Sequence, residues 1–131
     1  GPFDTHFDQS GSHAKLWIEI SEALDSFFAD LKEHNASDNV VVMLFSEFGR
    51  RVRDNGTGTD HGAAGVAFVI GDRVNGGMYG QYPSLRPEDL SQGDLVPNYD
   101  FRGLYSSLVD SWMGLDPVPI VGGKFEQMSF V

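Results

Sequence analysis

Cysteine is absent from this 131-residue chain. That excludes disulfides, thiolate metal ligands and a cysteine nucleophile, and it leaves the compartment open. Basic residues are scarce: nine Lys and Arg stand against nineteen Asp and Glu, a formal charge of −10. A nucleic-acid binder needs a basic stripe to displace counterions, and the cations here are scattered apart from Arg50, Arg51 and Arg53. No nucleic-acid partner is expected. No run reaches the roughly eighteen apolar residues that suggest a membrane span, so none is expected, and no signal-peptide pattern is present. The phosphate-loop signature is missing, because Val74-Asn75-Gly76-Gly77 lacks the Walker lysine and its serine. Gly-x-Ser-x-Gly is missing too, and neither Ser10 nor Ser12 has the context of a nucleophile.

What is present suffices for one domain. Hydrophobic residues make up 40% of the chain, with ten Phe among them, and no repeat divides it. From about Ala14 to His34 the apolar positions Leu16, Ile20, Ala23, Leu24, Phe27, Phe28 and Leu31 follow the three-and-four spacing of a helix with one buried face. Ser10 or Ser12 is placed to cap its start, and Asn35 with Ser37 to end it. Val40 to Phe45 and Gly65 to Ile70 are continuous apolar runs without alternation, which predicts strands buried on both faces of a parallel sheet. Between them lies a glycine-rich loop of about eighteen residues. Residues 71–99 read as loop, Asp100 as the cap of a second helix over about 101–114, and Gly114, Pro117 and Pro119 as its stop. That order of elements suggests an α/β layer structure. Two strands do not make a stable sheet, so further strands are expected in 72–99 and 118–131, or in a larger domain of which this is a part.

The long loop carries the chemistry. Ser46-Glu47-Phe48-Gly49-Arg50 follows the first apolar run, at the strand end where α/β proteins bind ligands. Glu47 is a candidate ligand or general base and Arg50 a candidate oxyanion clamp; the ordinary alternative is that the two pair or cap a helix. Thr59-Asp60-His61-Gly62 offers oxygen and nitrogen ligands for Zn²⁺ or Mn²⁺ from a turn that Gly62 permits. Its alternative is a turn in which Asp60 bonds backbone amides and His61 is solvated. Asp4-Thr5-His6, extended, places a carboxylate and an imidazole on one side; its alternative is a loose terminal tail. His13 and His34, at the ends of the first helix, read as solvated caps.

Taken in order, these strings resemble the C-terminal part of the domain-of-unknown-function 1501 family. The resemblance runs from Phe3-Asp4-Thr5-His6 through Ser46–Arg50, Gly58–Gly62 and Gly76-Gly77-Met78-Tyr79-Gly80 to Gly114-Leu115-Asp116-Pro117 and Gly122-Gly123. That family is in turn similar to the alkaline phosphatase and sulfatase superfamily, which implies an α/β fold: the C-terminal portion of a three-layer α/β/α sandwich with a mostly parallel sheet. It further implies a metal-dependent hydrolase of small phosphate or sulfate esters, with a divalent cofactor, Zn or Mn. Asp4, His6, Glu47, Asp60 and His61 would be the metal ligands, with Arg50 and Glu47 at the reacting ester. Ser46-Glu47-Phe48-Gly49 stands where the superfamily has Ser-Asp-His-Gly, and Phe48 cannot replace an imidazole. The nucleophile belongs earlier in the family domain, so the chain alone is expected to be a partial domain without turnover.

The resemblance also implies a periplasmic or exported protein, by a signal not present in this chain. An uncovered sheet edge or face would favour a homo-oligomer. Two rivals stand beside the hydrolase. One is a non-catalytic binding or scaffold protein with a degenerate metal site. The other is a single-metal enzyme of another reaction type, with Glu47 as general base and His6 and His61 as ligands.

Overall fold

In the computed structural model, which describes residues 3–131, the chain forms three α-helices and two small antiparallel sheets. Among the described residues, no helix is long and apolar enough to cross a membrane. The chain packs as two units: one takes in the described residues up to Asp72 together with Ser84–Val96, the other Arg73–Pro83 together with Pro97–Val131.

In the first unit, helix α1 spans Gln9–Glu33. Its apolar stripe is covered in part as the spacing predicts, with Leu16 buried and Ile20, Leu24, Phe28 and Leu31 half-buried, while Ala23 and Phe27 of the predicted face are exposed. The start differs from expectation. Asp8 precedes the helix in a left-handed conformation, and Ser10 and Ser12 lie inside the first turn. Ser12 Oγ donates back to the Asp8 carbonyl at 2.8 Å rather than capping an amide. Asn35, at φ 54, ends the helix as expected, and the buried Ser37 begins a short 3-10 turn where its hydroxyl donates to Asp72 at 2.6 Å.

Strand β1 is Val42–Leu44 and strand β4 is Phe68–Ile70; they pair antiparallel, Met43 opposite Val69. Between them, β2 (Gly49–Asp54) and β3 (Thr59–Gly62) form an antiparallel hairpin with an irregular register between Arg50 and Asp54. These pairings overturn the expected three-layer sandwich with its mostly parallel sheet: each sheet has two strands, and both are antiparallel. The physical reason lies in the connection. A parallel pair needs a crossover, usually a helix, whereas the chain between β1 and β4 is spent on a hairpin and contains no helix. The two apolar runs also proved shorter and less covered than strands buried on both faces. Val42, Met43 and Leu44 are half-buried, while Phe45 and Phe68 are exposed. Residues 72–99 and 118–131 add no strand among the described residues, only an isolated bridge between Ser91 and Asp94.

The predicted loop is therefore the hairpin that carries the site. Asn55-Gly56-Thr57-Gly58 makes its turn: Asn55 N donates to the Gly58 carbonyl at 2.9 Å, and Asn55 Oδ1 accepts from Gly58 N at 2.9 Å. Gly56 sits at φ 107, a conformation that side chains resist. The two strands meet closely at Gly49 and Gly62. A Cβ on Gly49 would stand 1.7 Å from the Ala64 carbonyl oxygen, so no other residue fits there without moving backbone.

In the second unit, Asp100 caps helix α2 (Phe101–Ser107) as predicted, accepting from Arg102 N at 2.9 Å. The helix widens into a π-turn over Leu108–Trp112 and stops at Gly114, φ 67. Ser106 and Ser107 are almost fully buried. Both hydroxyls are satisfied by donating one turn back, to Arg102 and Gly103 carbonyls at 2.7 and 2.8 Å. Small residues here let the C-terminal tail lie against the helix: Met128 N donates to Ser107 Oγ at 2.8 Å, and a Cβ on Gly103 would stand 2.1 Å from the Glu126 carbonyl oxygen. Helix α3 (Val118–Val121) is a single turn.

Candidate metal centre

The segment Phe3–His6, bent by a hydrogen bond from Thr5 N to the Phe3 carbonyl at 2.9 Å, lies against the β2–β3 hairpin, and two polar contacts from the segment and two more at Gln9 of α1 fix it there. Arg50 Nη2 donates to the Phe3 carbonyl at 2.9 Å, and Asn55 Nδ2 to the His6 carbonyl at 3.0 Å. Gln9 N donates to the Thr57 carbonyl at 3.4 Å, and Thr59 Oγ1 to Gln9 Oε1 at 3.0 Å. Phe3 adds an apolar anchor, edge-on to Trp17 of α1 with ring centroids 5.4 Å apart. Gly58 is needed for this approach, since a Cβ there would stand 2.6 Å from the His6 carbonyl oxygen.

The docking brings Asp4, His6 and His61 together, with one ligand atom from each lying within 4.8 Å of the others. Asp4 Oδ1 is shared: it lies 2.6 Å from His61 Nε2 and 3.1 Å from His6 Nε2. The imidazole rings are 4.7 Å apart at a tilt of 30°. Asp4 and His61 are exposed and His6 is half-buried, so the group opens to solvent. Ligand atoms on a tetrahedral zinc stand about 3.4 Å apart, given bonds of about 2.1 Å. The two separations to Asp4 Oδ1 are shorter than that, as hydrogen bonds are, and one carboxylate with two imidazoles is a donor set that zinc and manganese accept.

Asp60 stands behind this trio. Its Oδ1 lies 3.3 Å from His6 Nδ1 and accepts from Asn55 Nδ2 at 3.0 Å. Both carboxyls sit below the usual carboxylate range. For Asp4 the hydrogen bond with His61 is the chief cause, partly opposed by burial and helped by the charge of both imidazoles. For Asp60 the amide of Asn55 comes first and His6 second.

The other two residues named from the sequence are placed differently. Glu47 is exposed and stands outside the group of three. Arg50 points its guanidinium inward: besides holding Phe3 it donates through Nη1 to the Thr59 carbonyl at 2.8 Å, and it lies 5.1 Å over the Phe48 ring. It is a strap between segments. Phe48 stacks flat on His61, centroids 3.7 Å apart and planes 11° apart. Sequence reasoning saw Phe48 only as a lost ligand and passed over Asn55 altogether. Asn55-Gly56 is a turn dipeptide, and it lies in the four-residue loop Asn55–Gly58 that closes the hairpin.

The family described as "Protein of unknown function (DUF1501)" matches residues 1–117. The chain belongs to that family. The match takes in every residue of the trio, together with Phe48, Arg50, Asn55 and Asp60. No curated protein and no solved structure gives a significant match.

Proposed function

We propose that this DUF1501 chain contributes the divalent-metal site of a metal-dependent hydrolase acting on phosphate or sulfate esters. The convergence of Asp4, His6 and His61 from two distant segments carries this reading. Two imidazoles meet one carboxylate oxygen there, and the group is open to solvent. The ester class rests on the resemblance of Asp4, His6 and His61, in this order, to metal ligands of the alkaline phosphatase and sulfatase superfamily, whose Asp and His stand farther apart in sequence. That likeness is one of motifs and not of architecture.

When bound, a divalent ion supplies a Lewis acid that polarises a phosphoryl or sulfuryl oxygen. The chain's own residues do the rest of the holding. Asp4 and the two histidines are the ligands. Arg50 keeps Asp4 within reach by fixing the Phe3 carbonyl two bonds of chain away from it. Phe48 covers one face of His61 and limits how that ring turns.

The alternative is a metal-holding module without turnover. It is favoured by the use of Arg50 as a strap, which commits that guanidinium to the Phe3 and Thr59 carbonyls. One pair of measurements separates the readings. Zinc and manganese titrations by calorimetry should give one site per chain, lost in His61→Ala. Nitrophenyl phosphate and nitrophenyl sulfate turnover should then be assayed in the full-length protein containing these residues. Metal binding with turnover that His61→Ala abolishes supports the hydrolase. Metal binding without turnover on either ester leaves the module, and absence of metal binding at millimolar concentrations refutes both.

A further inference from the structure

His6 is the one member of the trio with a carboxylate on each side. Nε2 faces Asp4 at 3.1 Å and Nδ1 faces Asp60 at 3.3 Å. The Asp4 contact is the shorter, but the Asp60 side is held by a residue outside the trio, because Asn55 Nδ2 is bonded at once to Asp60 Oδ1 and to the His6 backbone carbonyl, both at 3.0 Å. One amide therefore ties the carboxylate to the residue whose ring it faces. Asn55 is in turn committed by the hairpin turn, where its Oδ1 accepts from Gly58 N at 2.9 Å and Thr57 N at 3.3 Å. The line turn, Asn55, Asp60, His6 is continuous.

We infer that Asp60 is a positioning residue, not a metal ligand: held by Asn55, it keeps the proton of His6 on Nδ1 and so commits Nε2 to the metal. This rests on the metal reading proposed above. A ligating imidazole needs its second nitrogen occupied as a donor, which fixes the tautomer and the ring plane, and loss of such a partner commonly costs 10- to 100-fold in metal affinity. The geometry also divides two carboxylates of the same residue type by role. Asp4 lies between the two Nε2 atoms, where an ion would sit, whereas Asp60 reaches the trio only through the far side of His6.

The test uses the chain as it stands, in three forms: wild type, Asp60→Ala and Asp60→Asn, each checked for folding by circular dichroism. Nitrogen-15 NMR of the imidazoles in mildly alkaline, metal-free buffer reads the His6 tautomer. It should be Nδ1–H in the wild type, mixed or reversed in Asp60→Ala, and largely restored in Asp60→Asn, whose side-chain oxygen still accepts. Zinc affinity should fall about 10- to 100-fold in Asp60→Ala and recover in part in Asp60→Asn. In the zinc-loaded wild type, His6 should be metallated on Nε2. Metallation on Nδ1, an unchanged tautomer in Asp60→Ala, or zinc affinity within twofold of wild type in that variant would overturn the inference. A wild type that binds no zinc but shows the Asp60-dependent tautomer overturns the metal reading and leaves the positioning role standing. The two failures are thus distinguishable.

Discussion

Asp4 and Asp60 each stand beside a histidine in the sequence, and each could have been given the same part. The fold separates them. Asp4 sits on the turn-like segment before α1, and its carboxylate bridges two imidazoles 57 and two residues away. Asp60 sits on β3 and turns to the back of His6, into the reach of Asn55. A carboxylate between two imidazole nitrogens is placed to share an ion with them. A carboxylate on the far nitrogen of one imidazole is placed to orient it. The lesson is that residue type and spacing nominate ligands, while the segment that carries each one decides which becomes a ligand and which a support.

The largest expected effect breaks the ligand side of that comparison. His61→Ala or Asp4→Ala should lower zinc affinity by more than about 100-fold, beyond the range for outer partners, as measured by competition with a chromophoric chelator. Equal losses in Asp4→Ala and Asp60→Ala would erase the distinction between the two carboxylates. Acid should act in the same direction as these substitutions. Binding competes with protons on two imidazoles, so zinc affinity should fall as pH is lowered.

Next comes the strap. Arg50→Ala removes two charge-assisted bonds, to the Phe3 and Thr59 carbonyls. It should cost about 2 kcal/mol in urea unfolding and free the Phe3–His6 segment to exchange its amide protons. Arg50→Lys should recover little, because an ammonium cannot span both carbonyls as the fork does. A smaller effect is expected at Phe48. Phe48→Leu keeps apolar cover but loses the flat stack on His61, worth about 1 kcal/mol for an aromatic pair. Zinc affinity should drop several-fold, and Phe48→Tyr should restore it.

The order of these effects bears on what the sequence could disclose. The long helix was legible because its Leu, Ile and Phe positions repeat at helical spacing, and that signal is local. Asp100 was legible as a cap for the same reason, with Arg102 N at 2.9 Å. The direction of strand pairing was not. Val42–Leu44 and Phe68–Ile70 carry the composition of strands, but nothing within either run states that the chain reverses between them. The hairpin that occupies the connection turns at Asn55–Gly58, inside a glycine-rich stretch that reads as featureless loop. Missing the hairpin hid the support residues with it. Asp4, His6, Asp60 and His61 were nominated from the sequence, although residue type alone favoured an ordinary turn at Asp60-His61. Their separate roles depend on contacts across more than fifty residues, which spacing alone does not encode.

The smallest expected effect lies in the other unit and acts as a contrast. Asp100 pairs with Arg102, whose guanidinium and backbone amide hold its carboxyl down to about 2 from the ordinary 3.8. A depressed carboxyl stabilises the fold above its unfolded value and loses that contribution as pH falls through the folded one. Asp100→Asn should therefore lower the thermal midpoint slightly at neutral pH, and the gap should close between pH 3.8 and about 2. A gap that persists below that window would place the effect in the cap's shape rather than its charge.

The most direct test of the trio is X-ray absorption at the zinc edge of the loaded wild-type chain, compared with His6→Ala. We expect one zinc per chain with two imidazoles and one carboxylate in its first shell, and one imidazole fewer, with weaker binding, in the variant. Zinc bound without imidazole, or a shell unchanged in His6→Ala, would contradict the site.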